Sequence, residues 1–189
     1  MRSIDNGNGR VTAMTLITPL RRGWTLWQRL VFLYWRRGPQ AGRPLRDRRS
    51  VHFGWWAILT RIPYNGPPQE PETLHQDMLL FESNFDGPWE PYIDMFGQVL
   101  AIGVSAVWKA SIGYPGSRPT TGAIKYVDAN QLPVDHFYAA YPDATCAMVL
   151  AALRLQEQVD AFQSLTADLR DDEWLDAYQR FVRGAQKRL

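Results

Sequence analysis

The sequence predicts an α+β domain, and three observations carry that prediction. Residues 51–62 and 78–85 are runs of β-branched, aliphatic and aromatic residues between Pro/Gly-rich turns, the pattern of strands. Residues 86–109, 144–165 and 171–187 instead repeat their apolar side chains every three to four positions, the pattern of helices. The two kinds of segment alternate irregularly, which favours a layered α+β sandwich over strict β-α-β units. A length of 189 residues with 46% hydrophobic content suits one such domain with an appendage.

In chain order, the polar, Gly-rich stretch Asn6-Gly7-Asn8-Gly9 opens the chain. Residues 1–18 are therefore assigned to a flexible tail, and Met14 offers an alternative start. Residues 19–37 read as a helix, with Thr18 as N-cap, Pro19 in the first turn and Gly38-Pro39 as the stop. On its wheel Arg21, Arg22, Thr25, Gln28, Arg29 and Arg36 share a narrow arc, which Phe32 interrupts. Trp24, Leu26, Trp27, Leu30, Val31, Leu33, Tyr34 and Trp35 fill the rest. That pattern describes an in-plane interfacial helix at a membrane, with Arg21, Arg22, Trp24, Trp27, Arg29, Trp35, Arg36 and Arg37 as the binding residues. Packing of the same face on the domain or on a partner is the competing reading.

Charge points the same way. Residues 1–50 hold 11 Arg against Asp5 and Asp47, a net +9, while the remainder holds 10 Lys and Arg against 17 acids, a net −7. The front is thus matched to a polyanion and the body is not. An anionic membrane surface or a membrane protein is the expected partner. Nucleic acid is disfavoured because the helix has no Asn to read bases. No run of 18 apolar residues is present, so nothing is expected to span. The single cysteine, Cys146, allows no internal disulfide and fits a reducing compartment, so the expected location is cytoplasmic, peripheral at the membrane. Cys146 itself reads as a small buried residue in the first turn of a helix.

Residues 39–50 form a Pro/Gly/Arg linker, and 51–189 form the α+β domain. The strand at 51–62 is apolar on both faces: Val51, Phe53, Trp55, Ala57 and Leu59 on one, His52, Gly54, Trp56 and Ile58 on the other. Both faces are therefore expected to be covered. A strand at 78–85 precedes a helix that Asp86 opens. Residues 106–112 form a possible short strand, 121–130 a short helix and 134–141 the last strand. Asp143 caps a helix over 144–165 whose first half is expected to be deeply buried. The last helix, 171–187, is amphipathic. These elements fit a ferredoxin-like antiparallel sheet with helices on one face, the other face being covered by a second copy in a homodimer.

Four strings carry a resemblance: His52-Phe53-Gly54-Trp55-Trp56, residues Leu80 to Gly87 (LFESNFDG), Gly113-Tyr114-Pro115-Gly116, and residues Phe137 to Asp143 (FYAAYPD). Together they resemble a bacterial family without an assigned activity whose members open with a basic, Trp-rich segment. A fainter likeness reaches the dimeric α+β barrel proteins, including dye-decolourising peroxidases. That likeness implies haem beneath Asp86 of Ser83-Asn84-Phe85-Asp86-Gly87, with an axial His on a helix. Ser83 replaces the first Gly of that motif.

Strand alternation supplies the remaining site candidates. His52 with Trp56, Glu82 with Asn84, and His136 with Tyr138 each share a strand face. If those faces coincide, His52, Glu82, Asn84, His136 and Tyr138 line one polar cavity able to bind a metal or move protons. Asp86 joins this catalytic set by the resemblance, and reads otherwise as a helix cap. Whether the chain is an enzyme stays open at this stage. A peripheral membrane protein that binds a hydrophobic small molecule or a membrane protein partner, an oxidative enzyme of the dimeric α+β barrel type, and a structural subunit that docks its front helix into a larger assembly are the three readings.

Overall fold

A computed structural model describes residues 7–38 and 47–186 of the chain. The architecture is α+β, built on an antiparallel sheet. Its strands are β1 (Gly7–Asn8), β2 (Val11–Pro19), β3 (Val51–Leu59), β4 (Met78–Asp86) and β5 (Gln131–Leu132). They lie in the order β1-β2-β4-β3, with β5 also on β2, and every pairing is antiparallel.

Of the expected flexible tail, residues 1–6 lie outside the described residues, and residues 11–18 are instead part of the central strand. Residues 11–19 alternate buried and half-buried side chains along β2, and Asn8-Gly9-Arg10-Val11 turns the chain back from β1. Gly9 takes φ +66 there, a conformation that Gly adopts without strain and that short hairpins require.

The helices are α1 (Thr25–Arg37), α2 (Trp89–Val99), α3 (Ala101–Trp108), α4 (Thr120–Asn130), α5 (Cys146–Thr166) and α6 (Asp171–Gln186). The first begins six residues later than predicted, because Thr18 and Pro19 belong to β2; Trp24 rather than Thr18 is its N-cap and makes no side-chain cap hydrogen bond. The long helix predicted after Asp86 is two, broken at Leu100 (φ −119°, ψ 20°). Trp89 rather than Asp86 begins α2. Gly97 lets α2 approach the start of α4, since a Cβ there would lie 2.6 Å from the Thr120 methyl.

One sheet face carries the core. Met14, Leu16, Leu79, Phe81 and Phe85 are buried there against Tyr92, Phe96, Val107 and Trp108. Trp56 stacks on Phe81 with centroids 4.9 Å apart, and Phe85 stacks on Tyr92. Burial of this order, ~25 cal/mol per Å² of apolar surface, is what closes the domain. The opposite face is covered only in part: Val11 and Ala13 are buried on it, Glu82 and Asn84 are half-buried, and Phe53, Trp55 and Leu132 are exposed, Phe53 by 72%. The expectation that β3 is covered on both sides therefore fails for the single chain.

The chain divides into two compact units, residues 1–143 and 144–189. The second is a helical hairpin. Thr145, not Asp143, caps α5, its hydroxyl accepting from the Met148 N–H at 3.2 Å. Phe162 gathers Trp174, Tyr178 and Phe181 into a small aromatic cluster. The first half of α5 is not deeply buried, because Met148, Val149 and Leu153 are exposed and a two-helix unit has no third layer to cover them.

Candidate functional site

The predicted first helix exists, but its orientation differs from an all-lipid face. Trp24, Gln28, Val31 and Trp35 recur at helical spacing and turn inward, with Gln28 and Val31 buried. Phe32 and Trp35 flank Trp56 at 6.2 and 5.6 Å. The Trp27 indole N–H donates to the Ala106 carbonyl at 3.1 Å, and the Thr25 hydroxyl donates to the Asp77 carboxylate. Packing on its own domain thus accounts for half of α1. It also explains why Trp24 and Trp35, both expected at a membrane, are largely occupied elsewhere.

The outer half is different. Leu26, Leu30 and Leu33 form a line at i, i+4 and i+7 and are 66%, 53% and 41% exposed. Arg29 and Arg36 run along one flank of that line, and Trp27 and Tyr34 along the other, all exposed, while Arg22 is exposed in the turn before the helix. Arg36 and Arg37 lie in the last turn, where the helix dipole favours cations. Arg21 is exposed too and holds its guanidinium 5.9 Å from the Trp24 ring centre. The ridge leucines are not among the residues that the sequence marks for a membrane, since tryptophan and arginine carry the stronger interfacial signal. Their i, i+4, i+7 spacing was the available signal.

The predicted polar cavity is not assembled. A β-bulge between Val51 and Phe53 inserts His52 as an extra residue and breaks the alternation that paired it with Trp56. Trp56 goes to the core, while His52 Nε2 lies 2.8 Å from Asp86 Oδ1. Asp86 belongs with Glu82 and Asn84 by alternation along β4, so His52, Asp86 and Glu82 are associated with one side of the sheet. His136 and Tyr138 are not on a strand; both are exposed in the irregular segment 133–145 that replaces the predicted 134–141 strand. Among the described residues no three His, Cys, Asp or Glu side chains cluster as metal ligands.

The residues do not fit haem either. The three histidines, His52, His75 and His136, all lie outside the helices, so the axial ligand that the peroxidase likeness requires is missing. Asp86 is engaged with His52 at the end of β4. Among the described residues, no helix is long and apolar enough to cross a membrane. The linker arginines Arg43 and Arg46 fall outside the described residues, whereas Arg48 and Arg49 are exposed. Comparison with family models, with curated proteins and with solved structures finds no match.

Proposed function

We propose that this chain is a peripheral membrane-associated protein that holds an anionic lipid surface through the outer ridge of α1. The observation that carries the reading is the exposed line Leu26-Leu30-Leu33, flanked by Arg29 and Arg36, on a helix whose other face is already packed and which Arg21 and Arg22 precede, both exposed. Contiguous apolar surface rimmed by charge marks an interaction site. At 13 residues the helix is about 20 Å long, so it suits lying in the headgroup plane rather than crossing. The leucines, Trp27 and Tyr34 would enter the interface, and the arginines would reach phosphates.

Magnitudes favour a two-part mechanism. Each Arg near an anionic surface contributes about 1 kcal/mol, and each fully buried Leu contributes roughly 1.5–3 kcal/mol. The ridge residues are partly shielded already, so neither contribution alone holds the protein. Co-sedimentation should therefore show binding to vesicles containing phosphatidylglycerol, weak binding to phosphatidylcholine alone, and release as salt rises from about 0.1 to 0.5 M. A chain that ignores anionic vesicles at low salt would instead favour a protein partner for the ridge.

The open sheet face favours a second, compatible reading. Taking β2, β3, β4 and β5 as first to fourth, the strand order is 4-1-3-2, which supports a ferredoxin-like arrangement. Phe53, Trp55 and Leu132 stand exposed on one side of it. We infer that a second copy covers this face, which would supply the missing layer over β3.

A further inference from the structure

The ridge of α1 is one part of the outer surface of the helix layer, and α3 supplies another. The ring of Trp56 on β3 meets Phe32 and Trp35 of α1 and Trp108 of α3, at centroid separations of 6.2, 5.6 and 6.4 Å. Both helices therefore lie on the same face of the sheet. They also touch each other. The Trp27 indole N–H donates to the Ala106 carbonyl at 3.1 Å. A Cβ at Gly103 would lie 3.4 Å from the Trp35 ring, so that glycine lets α1 approach closely. These contacts run in opposite chain order, which sets the end of α1 beside the start of α3. Ile102 stands at that start. It is 89% exposed, the most exposed large apolar side chain among the described residues. A lone apolar side chain on a surface needs no special cause. Ile102 is not alone, because the exposed line Leu26-Leu30-Leu33 lies on the adjoining helix and points away from the same sheet. No charged residue occurs in α3. Just before it, the exposed Arg118 donates to the Gly97 and Gln98 carbonyls at 3.2 Å each, which brings a cation to the break between α2 and α3.

We propose that Ile102 is a second point of insertion into an anionic lipid surface, so that two helices rather than one make the contact. This rests on the membrane reading of the α1 ridge and adds to it. Burial of the side chain among acyl chains is the driving term, and Ile102 brings no polar atom that would need a partner there. Arg118 is placed to meet a headgroup phosphate beside it. The second point also has a consequence for orientation. One in-plane helix leaves the domain free to roll about the helix axis, whereas a further anchor on an adjoining helix removes that freedom. The helix layer then faces the lipid. The opposite sheet face, with Phe53, Trp55 and Leu132, is turned away from it and stays within reach of a second copy.

The test uses the full chain. In an Ile102→Cys/Cys146→Ser variant the new thiol is labelled with nitrobenzoxadiazole, whose emission rises and shifts to the blue in apolar surroundings. Phosphatidylcholine–phosphatidylglycerol vesicles should produce that change, and phosphatidylcholine alone should not. Unlabelled Ile102→Ser, with the circular dichroism of the parent, should bind the mixed vesicles roughly ten-fold more weakly, the loss expected when one isoleucine is withdrawn from the interface. Serine adds no charge, so that loss reports burial and not repulsion. Ile102→Leu should bind as the parent does. If the wild type binds while the label keeps its aqueous emission, or if Ile102→Ser binds equally well, this inference falls and the α1 reading stands. If the wild type does not bind, both fall.

Discussion

Gln28 lies in the polar arc of the α1 wheel, yet its side chain is 0% exposed and neither amide atom has a hydrogen-bond partner among the described residues. Trp24, Val31 and Trp35 share its side of the helix, and their burial decides the rotation of α1 over the preference of one amide for water. An unmatched buried polar group costs about 1–3 kcal/mol. Gln28→Met, similar in length and without polar hydrogens, should raise unfolding stability by roughly 1 kcal/mol in urea. A loss of stability would mean that the amide is satisfied in solution.

Tyr92 gives a pH signature. Burial raises its pKa well above the ordinary 10.0, only partly opposed by its hydrogen bond to Ser83. The folded state therefore holds a proton that the unfolded state releases. That stability is fully present below pH 10 and is lost as pH rises beyond it. Urea unfolding should show a plateau through neutral pH and a decline above about pH 10, shallower in Tyr92→Phe. An unchanged slope in that variant would remove Tyr92 from the account.

At the scale of elements, β3 and β4 and most helices were legible, because their periodicity is long and unambiguous. The strand at 11–19 is hard to see in the sequence although Val11, Ala13 and the following residues alternate, because the Gly-rich stretch before it has the composition of a flexible tail. Asn8-Gly9 is a hairpin signal, and its turn is what seats β2 between β1 and β4. The His52 bulge was not legible, since one inserted residue leaves no mark on composition yet moves every later side chain to the other face. The same shift leaves Phe53 and Trp55 on the open face. If a second copy covers that face, sedimentation should report a dimer at micromolar protein, and Trp55→Asp should return it to monomer with its circular dichroism preserved. A wild-type monomer at those concentrations would contradict the self-association reading.

For the whole molecule, the +9 front against the −7 body was readable from the sequence and remains its main functional clue. The division at residue 143 was not, because the apolar first half of α5 resembles a buried core helix and is instead part of a two-helix unit. Of the exposed surface of α1, the arginines are legible in the sequence and the leucine line beside them is not, since which side of an aromatic-rich helix faces outward is settled only by the sheet beneath it. The most direct measurement of the central claim is flotation with phosphatidylcholine–phosphatidylglycerol vesicles. It compares the wild type, a Leu26→Asp/Leu30→Asp/Leu33→Asp variant, and a Leu175→Asp control altered at an exposed leucine of α6. The account predicts that the wild type and control float while the ridge variant stays behind, folded. Flotation of the ridge variant equal to the wild type, or no flotation of the wild type, would contradict it.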